Sequence, residues 1–520
     1  MARCPLFFLA LAWPIVLVTP AGSPMSDSVL LAAIRLVDDH TWTLSDEPDP
    51  RVVFQTEAFD ISVHGGRVYS GVGPGASAVA APFYLVLKPV LARFGNGVIA
   101  NRRFLTYYER NRRETQRPAA GRLKEVYLLQ ILLAWLVAAP LLAALVTRLQ
   151  ARLIAHGLGR PHATTIALAV GLGSMALYYS STYSTALAYG LAWHAVLFLL
   201  PAPGTSGPGR GSCLAAGMLL GAAVGIDYAS ALLLLLTLAF LLPPLPATAR
   251  SLVVLPLLAL LGLTALYHQA AFGSPWLTAY HFRFWFTPEL LARQGLDLSA
   301  FQENPAVRLH APRPGVMLHL CFGFFKGLFV YSPVLLLGLF GHIREVRRPR
   351  CRRFHLFSLA VFLSYLAFNS TFSADASDYD RLLWGGLSVQ WGPRHLYATL
   401  PFLAVGLASL DWRRAALRGL AYALLLLSCV LNTLGAMFGD VMMSAYAFGP
   451  EMRAPLAYVL KLLWLGGPRV PLLDAYEVAA PVQWLPLLAL AALTAVVLQR
   501  ELLEDRHETA LVTSDRSAVL

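Results

Sequence analysis

The sequence predicts an all-α polytopic membrane protein with about 12 transmembrane helices and a large extracytoplasmic first loop containing interfacial helices. Three observations predict it. Hydrophobic residues make up 57% of the 520 and charged residues only 13%, an apolar surplus that no water-soluble core of this length requires. The charge-free stretches 126–147, 419–439 and 478–498 each reach the roughly 20 residues that a helix needs to cross hydrocarbon with its backbone bonds satisfied internally. The run 163–209 lacks Asp, Glu, Lys and Arg altogether and is about twice the spanning length, so it reads as two helices joined near Ser180 to Ser184.

Taken in order, the predicted spans lie near 5–20, 126–147, 163–180, 184–201, 212–226, 228–243, 251–268, 324–343, 354–371, 396–410, 415–437 and 482–498, with both ends cytosolic. The first stretch follows Arg3 and reads as a retained helix, a cleaved signal peptide being the alternative; either sends the next residues outward. Six arginines between Arg344 and Arg353 fix the inner side by the positive-inside bias, which is stronger for short loops than long ones. The eight basic residues of 101–124 are therefore tolerable in a long first outer loop. Pro82, Lys88, Pro89 and Arg93 make 76–94 an interfacial helix rather than a span. The outer side receives 21–125, 269–323, 372–395 and 439–480. This divides the chain into a transmembrane core at 1–410, a C-terminal helix pair with its outer loop at 411–498, and a cytosolic tail at 499–520.

The net charge of +12 is a topology signal rather than a nucleic-acid footprint, because its densest cluster sits between two spans. Cys4, Cys213, Cys321, Cys351 and Cys429 have neither metal nor redox spacing. No nucleotide-binding glycine loop, His-Glu zinc motif or internal transporter repeat is present, so chemistry must be assembled from the outer pieces.

Asp27 follows the first span closely and starts a helix, a placement that suits a helix cap and equally suits attack on a lipid-borne substrate at the membrane surface. Asp38, Asp39 and His40 could hold a divalent cation, but neighbouring helical side chains diverge by about 100°, which favours a solvated turn. Asp60 opens a glycine-rich string whose glycines at 65, 66, 71, 73 and 75 imply a tight loop approaching something closely; Arg67 and Tyr69 project from it. Arg394 and His395 stand where the tenth span enters the membrane, beside Trp384 and Trp391 of an interfacial belt, and could bind a phosphate head group or snorkel. Lys326 is a similar cation on the eighth span. Asp227 interrupts a long apolar run and is best placed at a wet hairpin turn, since an ion at mid-bilayer costs about 3 kcal/mol or more.

These strings together resemble the GT-C superfamily of polytopic glycosyltransferases, closest to bacterial relatives of protein O-mannosyltransferase and aminoarabinose transferase. The likeness covers about residues 23–410: an acid after the first span at Asp27, YSGVGPG at Tyr69–Gly75, GAAVGIDYASALLLL, YHQAAFGSPWLTAY, KGLFVYSPVLLLGLFG and WGPRHLYATLPFL. Val72 stands where relatives often carry lysine, and a single acid stands at 27. The resemblance implies a bacterial cytoplasmic-membrane enzyme that moves a sugar from a polyprenyl-phosphate donor to a hydroxyl acceptor on lipid, glycan or protein, with inversion. Asp27 would be the catalytic base, and Asp60, Arg67, Tyr69, Lys326, Arg394 and His395 would bind substrate. No cofactor is implied beyond an optional divalent cation, and membrane lipid is the other partner. The alternative function is a carrier of a lipid-linked or anionic substrate.

Overall fold

The computed structural model describes residues 5–19, 24–46, 60–98, 122–200, 207–284, 311–348, 352–371, 391–438, 455–476 and 478–517. The protein is predominantly helical and membrane-embedded. Among the described residues, five helices are long and apolar enough to cross a membrane: Gly75–Arg93, Glu125–Ala155, Ala247–Phe272, Ala415–Met437 and Ala480–Glu501. The last four lie where spans were predicted. The first was predicted to be interfacial, yet its length and composition meet the requirement for a span despite Pro82 and Pro89.

The chain opens with α1 (Pro5–Val16) and α2 (Pro24–Asp38). A hairpin of β1 (Ile61–His64) and β2 (Arg67–Ser70) follows, turning on Gly65 and Gly66, whose φ angles of 56° and 71° suit a two-residue hairpin turn and are open to glycine without strain. A two-residue strand, β3 (Arg283–Phe284), adds to the other edge of β1. This small sheet is a departure from the all-α expectation: the glycines mark a tight loop there, but the third strand comes from a segment more than two hundred residues away, which no local pattern signals.

After α3 (Gly75–Val98), a long helical stretch runs through α4 (Arg122–Leu133), a π-turn at Ala134–Ala138 and α5 (Ala139–Ala155). The predicted break in the charge-free run is present: α6 (Arg160–Gly171) and the short α7 (Ala176–Ser180) are separated from α8 (Leu187–Leu199) by residues 181–186. The hairpin of α9 (Arg210–Ile226) and α10 (Ser230–Phe240) precedes α11 (Ala247–Phe272). Gly221 lets α9 approach α11 so closely that a Cβ there would stand 2.8 Å from the Leu260 Cβ, the small-residue contact that helices use where burial from water no longer drives packing.

The second half contains α12 (Pro314–Phe322), the single turn α13 (Leu328–Tyr331), α14 (Val334–Glu345) and α15 (Arg352–Ser370). The span predicted near 324–343 is therefore broken: Gly323, Gly327 and Pro333 interrupt it, and Lys326 sits in a turn rather than on a helix. The span predicted near 396–410 begins as a 3-10 stretch at Arg394–Thr399 and continues as α16 (Leu400–Val405). Next come α17 (Ala415–Met437), α18 (Pro455–Gly466), α19 (Pro471–Ala475) and α20 (Ala480–Ser517). Most of the expected tail is thus helical. α20 packs back onto the beginning of the chain, with the Trp13 indole donating to Thr494 at 3.2 Å. Glu501, 2% exposed, accepts from Gln150 at 3.0 Å and pairs with Arg160 at 3.5 Å. The basic stretch 101–121 and Trp384 lie outside the described residues.

Candidate functional site

The site is best built outward from residues 178–185, the hydroxyl-rich string Tyr-Tyr-Ser-Ser-Thr-Tyr-Ser-Thr that ends α7 and runs on toward α8. So many polar side chains cannot continue a helix among apolar neighbours without losing bonds to water, so they turn to other segments instead. The Ser26 hydroxyl donates to the Tyr183 carbonyl at 2.7 Å, and the Tyr183 hydroxyl donates to the Ala76 carbonyl at 2.7 Å. The Thr19 amide donates to the Ser181 carbonyl at 2.9 Å. The ends of α1, α2 and α3 are thereby gathered on one segment.

Asp27 lies between two of these contacts. Its helix starts at Pro24, so Asp27 occupies the first turn rather than the cap. Ser26 reaches Tyr183 on one side of it, and Ser28 on the other meets the Ser70 hydroxyl of β2 at 2.9 Å. The residue is 1% exposed.

The loop after β2 seats a second carboxylate. Gly71 lies directly under the Asp60 side chain, and its amide donates to the Asp60 carbonyl at 2.8 Å. Gly73 and Gly75 press on the backbone of Gly225; a Cβ on Gly75 would stand 2.7 Å from the Gly225 carbonyl carbon. The tight approach expected of this glycine loop is thus onto the end of α9, two residues before Asp227. Asp227 does occupy the hairpin turn, but at 2% exposure it is buried rather than wet. Its Oδ1 accepts from the Ala229 amide at 3.0 Å, starting α10, and its Oδ2 accepts from the Tyr189 hydroxyl at 3.3 Å.

The cations come from the second half. Lys326, 3% exposed, lies in the turn closed by the Gly327 amide donating to the Gly323 carbonyl at 2.6 Å, with its ammonium 5.1 Å from the Phe325 ring centre. Arg394 follows Gly392, whose φ of 73° turns the chain into the 3-10 stretch. Tyr331 couples the two cation-bearing segments: its hydroxyl donates to the carbonyls of Phe324 at 2.8 Å and Phe325 at 3.2 Å, while its ring lies edge-on to Trp391 at 4.6 Å. In a 3-10 helix side chains three apart eclipse, so Tyr397 shares a column with Arg394. The Tyr397 ring lies 5.1 Å from that of Tyr179 and 5.8 Å from that of Tyr189. Segment 178–185 therefore touches both the Asp27 helix and the Arg394 helix.

Of the residues singled out in the sequence, Lys326 and Arg394 lie on segments tied together through Tyr331 and Trp391, His395 follows Arg394 and is half-buried, and Asp27 borders segment 178–185 from the other side. Asp60 stays at the base of the hairpin. Arg67 is exposed near the hairpin turn, and Tyr69, 5% exposed, packs 5.4 Å from Phe272 in a separate aromatic cluster. Asp38 pairs with Lys88 at 2.7 Å and Asp39 with Arg35 at 3.0 Å, so the adjacent carboxylates serve different cations. Among the described residues no group of three metal-ligating side chains converges. Sequence reasoning missed Tyr179, Tyr189 and Tyr397. The signal available was the run of hydroxyl side chains inside a charge-free stretch, which marked a joint and equally marked a polar wall.

No family model and no curated protein matches the chain. It is similar to solved structures of two other proteins. One is ArnT from Cupriavidus metallidurans bound to undecaprenyl phosphate, at 14% identity and a TM-score of 0.44 over 95% of this chain and 76% of that one. The other is the Archaeoglobus fulgidus oligosaccharyltransferase, in the apo form at 13% identity and a TM-score of 0.41 over 86% of this chain and 56% of that one. The same oligosaccharyltransferase tethered with an acceptor peptide containing the NVT sequon gives 12% identity and a TM-score of 0.37 over 86% and 55%. The chain thus spans just over half the length of the oligosaccharyltransferase.

Proposed function

We propose that this protein is a membrane glycosyltransferase that moves a sugar from a polyprenyl-phosphate donor to a hydroxyl acceptor on the extracytoplasmic side. The observation that carries the reading is the meeting of the Asp27 helix and the Arg394 helix on residues 178–185, through Ser26 to Tyr183 and Tyr397 to Tyr179. A carboxylate bordering this polar segment, with Arg394 on a helix that touches it and Lys326 on the turn tied to that helix through Tyr331 and Trp391, supplies the charges that this reaction needs. Asp27 takes the proton of the acceptor hydroxyl as its oxygen attacks the anomeric carbon. The bond to the phosphate oxygen breaks on the opposite face, inverting the centre, and Arg394 and Lys326 stabilise the charge gathering on the departing lipid phosphate. His395 adds a donor beside Arg394. Arg67, exposed near the hairpin turn, is left to contact the sugar or acceptor at the rim, whereas Asp60 holds the base of the hairpin and Tyr69 packs on Phe272.

The test is sugar transfer by the full chain in proteoliposomes supplied with a polyprenyl-phosphate sugar. Asp27→Asn should keep expression and lower transfer by about 10²–10⁴-fold, the usual contribution of a general base. Undiminished transfer by that variant removes Asp27 from the mechanism. Movement of the lipid-linked sugar between leaflets without a new glycosidic bond would make the protein a carrier instead.

A further inference from the structure

The joint at residues 181–186 is not helical, so its peptide groups need partners from other segments. Gln130 supplies them for Tyr183. It is 0% exposed on α4, one turn before the π-turn at Ala134–Ala138. A peptide carbonyl can only accept and a peptide N–H can only donate, which fixes the way the Gln130 amide faces. Its oxygen accepts from the Tyr183 N–H at 2.6 Å and from the Thr182 hydroxyl at 2.5 Å, and its nitrogen donates to the Tyr183 carbonyl at 3.1 Å. Among the described residues the Tyr183 N–H meets no other acceptor.

The same peptide holds the Asp27 helix. The Tyr183 carbonyl divides its two lone pairs between Gln130 and the Ser26 hydroxyl, the latter at 2.7 Å, and the Tyr183 ring hydroxyl donates to the Ala76 carbonyl of α3 at 2.7 Å. Each link from α4 to Ser26, the residue before Asp27, is a direct hydrogen bond through one peptide group. Both polar ends of that peptide are met by a single planar side chain, which fixes distance and plane together. Resting on the reading of Asp27 as the base, we infer that Gln130 is a positioning residue for the transfer step: by clamping the Tyr183 peptide to α4, it sets where the first turn of α2 holds the Asp27 carboxylate. Gln130 itself touches no reacting atom. Its effect is geometric, and a displacement of about 1 Å at a reacting group can lower a rate about 100-fold.

Two variants separate this from local backbone satisfaction. Gln130→Met keeps the length of the side chain and removes both hydrogen-bonding ends, while Ser26→Ala cuts the tie between Tyr183 and α2 and leaves Gln130 in place. Amide hydrogen exchange of the full chain in nanodiscs reads the clamp without any substrate. Gln130→Met should speed exchange about tenfold, the scale of one lost hydrogen bond, both in 181–186 and in residues 28–31 of α2. Faster exchange in 181–186 alone overturns the inference. The second arm is transfer in proteoliposomes, read as release of undecaprenyl phosphate from an undecaprenyl-phosphate hexose. Gln130→Met should lower kcat about 10- to 100-fold with the donor KM within about twofold of the parent. Adding Ser26→Ala should cost little more, since both changes act through one carbonyl, and in an Asp27→Asn background Gln130→Met should have hardly any further effect. An unchanged kcat in Gln130→Met, with Asp27→Asn impaired, overturns the clamp and leaves the base reading in place. Undiminished transfer by Asp27→Asn refutes the base reading and, with it, Asp27 as the group being positioned. If the parent does not use this donor, the transferase reading loses its support there and the exchange result alone decides the clamp.

Discussion

Gly75 meets the backbone of Gly225 so closely that a Cβ would stand 2.7 Å from its carbonyl carbon. This contact joins the start of α3 to the end of α9 and sets the height of the Asp227 turn against the β2 loop. Gly75→Ala must push backbone rather than a flexible side chain, so it should cost about 1–3 kcal/mol of stability. A lowered thermal midpoint of the full chain in nanodiscs, alongside a normal midpoint for an alanine at the unobstructed Gly262, would bear this out.

Lys326 and Arg394 should act together on the phosphate and hardly at all on the lipid chain. Hydrogen bonds to charged groups contribute about 1.5–3 kcal/mol each, so alanine at either position should weaken undecaprenyl phosphate binding by about 10- to 150-fold. Binding of undecaprenol should not change. Because the two cations share one anion, the double variant should lose less than the sum of the single losses; full additivity in a four-member binding cycle would place them in separate sites.

Tyr331→Phe tests how the cation-bearing segments are held. The substitution keeps the ring against Trp391 and removes the donations to Phe324 and Phe325. It should cost about 1 kcal/mol of stability. It should also weaken phosphate binding by a smaller factor than Lys326→Ala, because the charge remains while its turn loosens. Parallel melting and binding curves would show whether the two effects accompany each other.

The Glu501 cluster lies at the opposite end of α6 from the 178–185 segment. Glu501→Ala would leave Gln150 and Arg160 without their shared acceptor in a buried place, at about 1–3 kcal/mol. Stability should fall while the affinity for undecaprenyl phosphate stays at the parent value. A matching loss of affinity would reveal coupling along α6 that the contacts do not suggest.

Much of the helical framework was legible because its signals are local. A charge-free stretch long enough to cross hydrocarbon announces itself without reference to anything distant, and α5, α11, α17 and α20 all fall on such stretches. The break at residues 181–186 was legible for the same reason, and the glycines from 65 to 75 marked a tight loop approaching something closely, which the structure shows to be the end of α9. Lys326 looked helical because FGFFKGLFVYSP is apolar, but Gly323, Gly327 and Pro333 make the chain turn there. Asp227 was placed correctly at a turn and wrongly in water, because burial depends on what packs over the turn.

By itself the sequence determined that the chain must enter a membrane, roughly where its helices run, and which scarce polar residues had to be accounted for. Hydropathy and chain geometry act over a few turns of helix, and that is all these conclusions need. Only the tertiary structure decided which of those polar residues meet. Lys326 and Arg394 join through Tyr331 and Trp391, Asp27 reaches their neighbourhood through Tyr183, and Tyr69 turns away to Phe272. Those outcomes depend on contacts between segments far apart in the chain, Tyr331 with Trp391, Ser26 with Tyr183 and Tyr69 with Phe272. Their free energies arise from packing and burial that exist only once the helices have assembled.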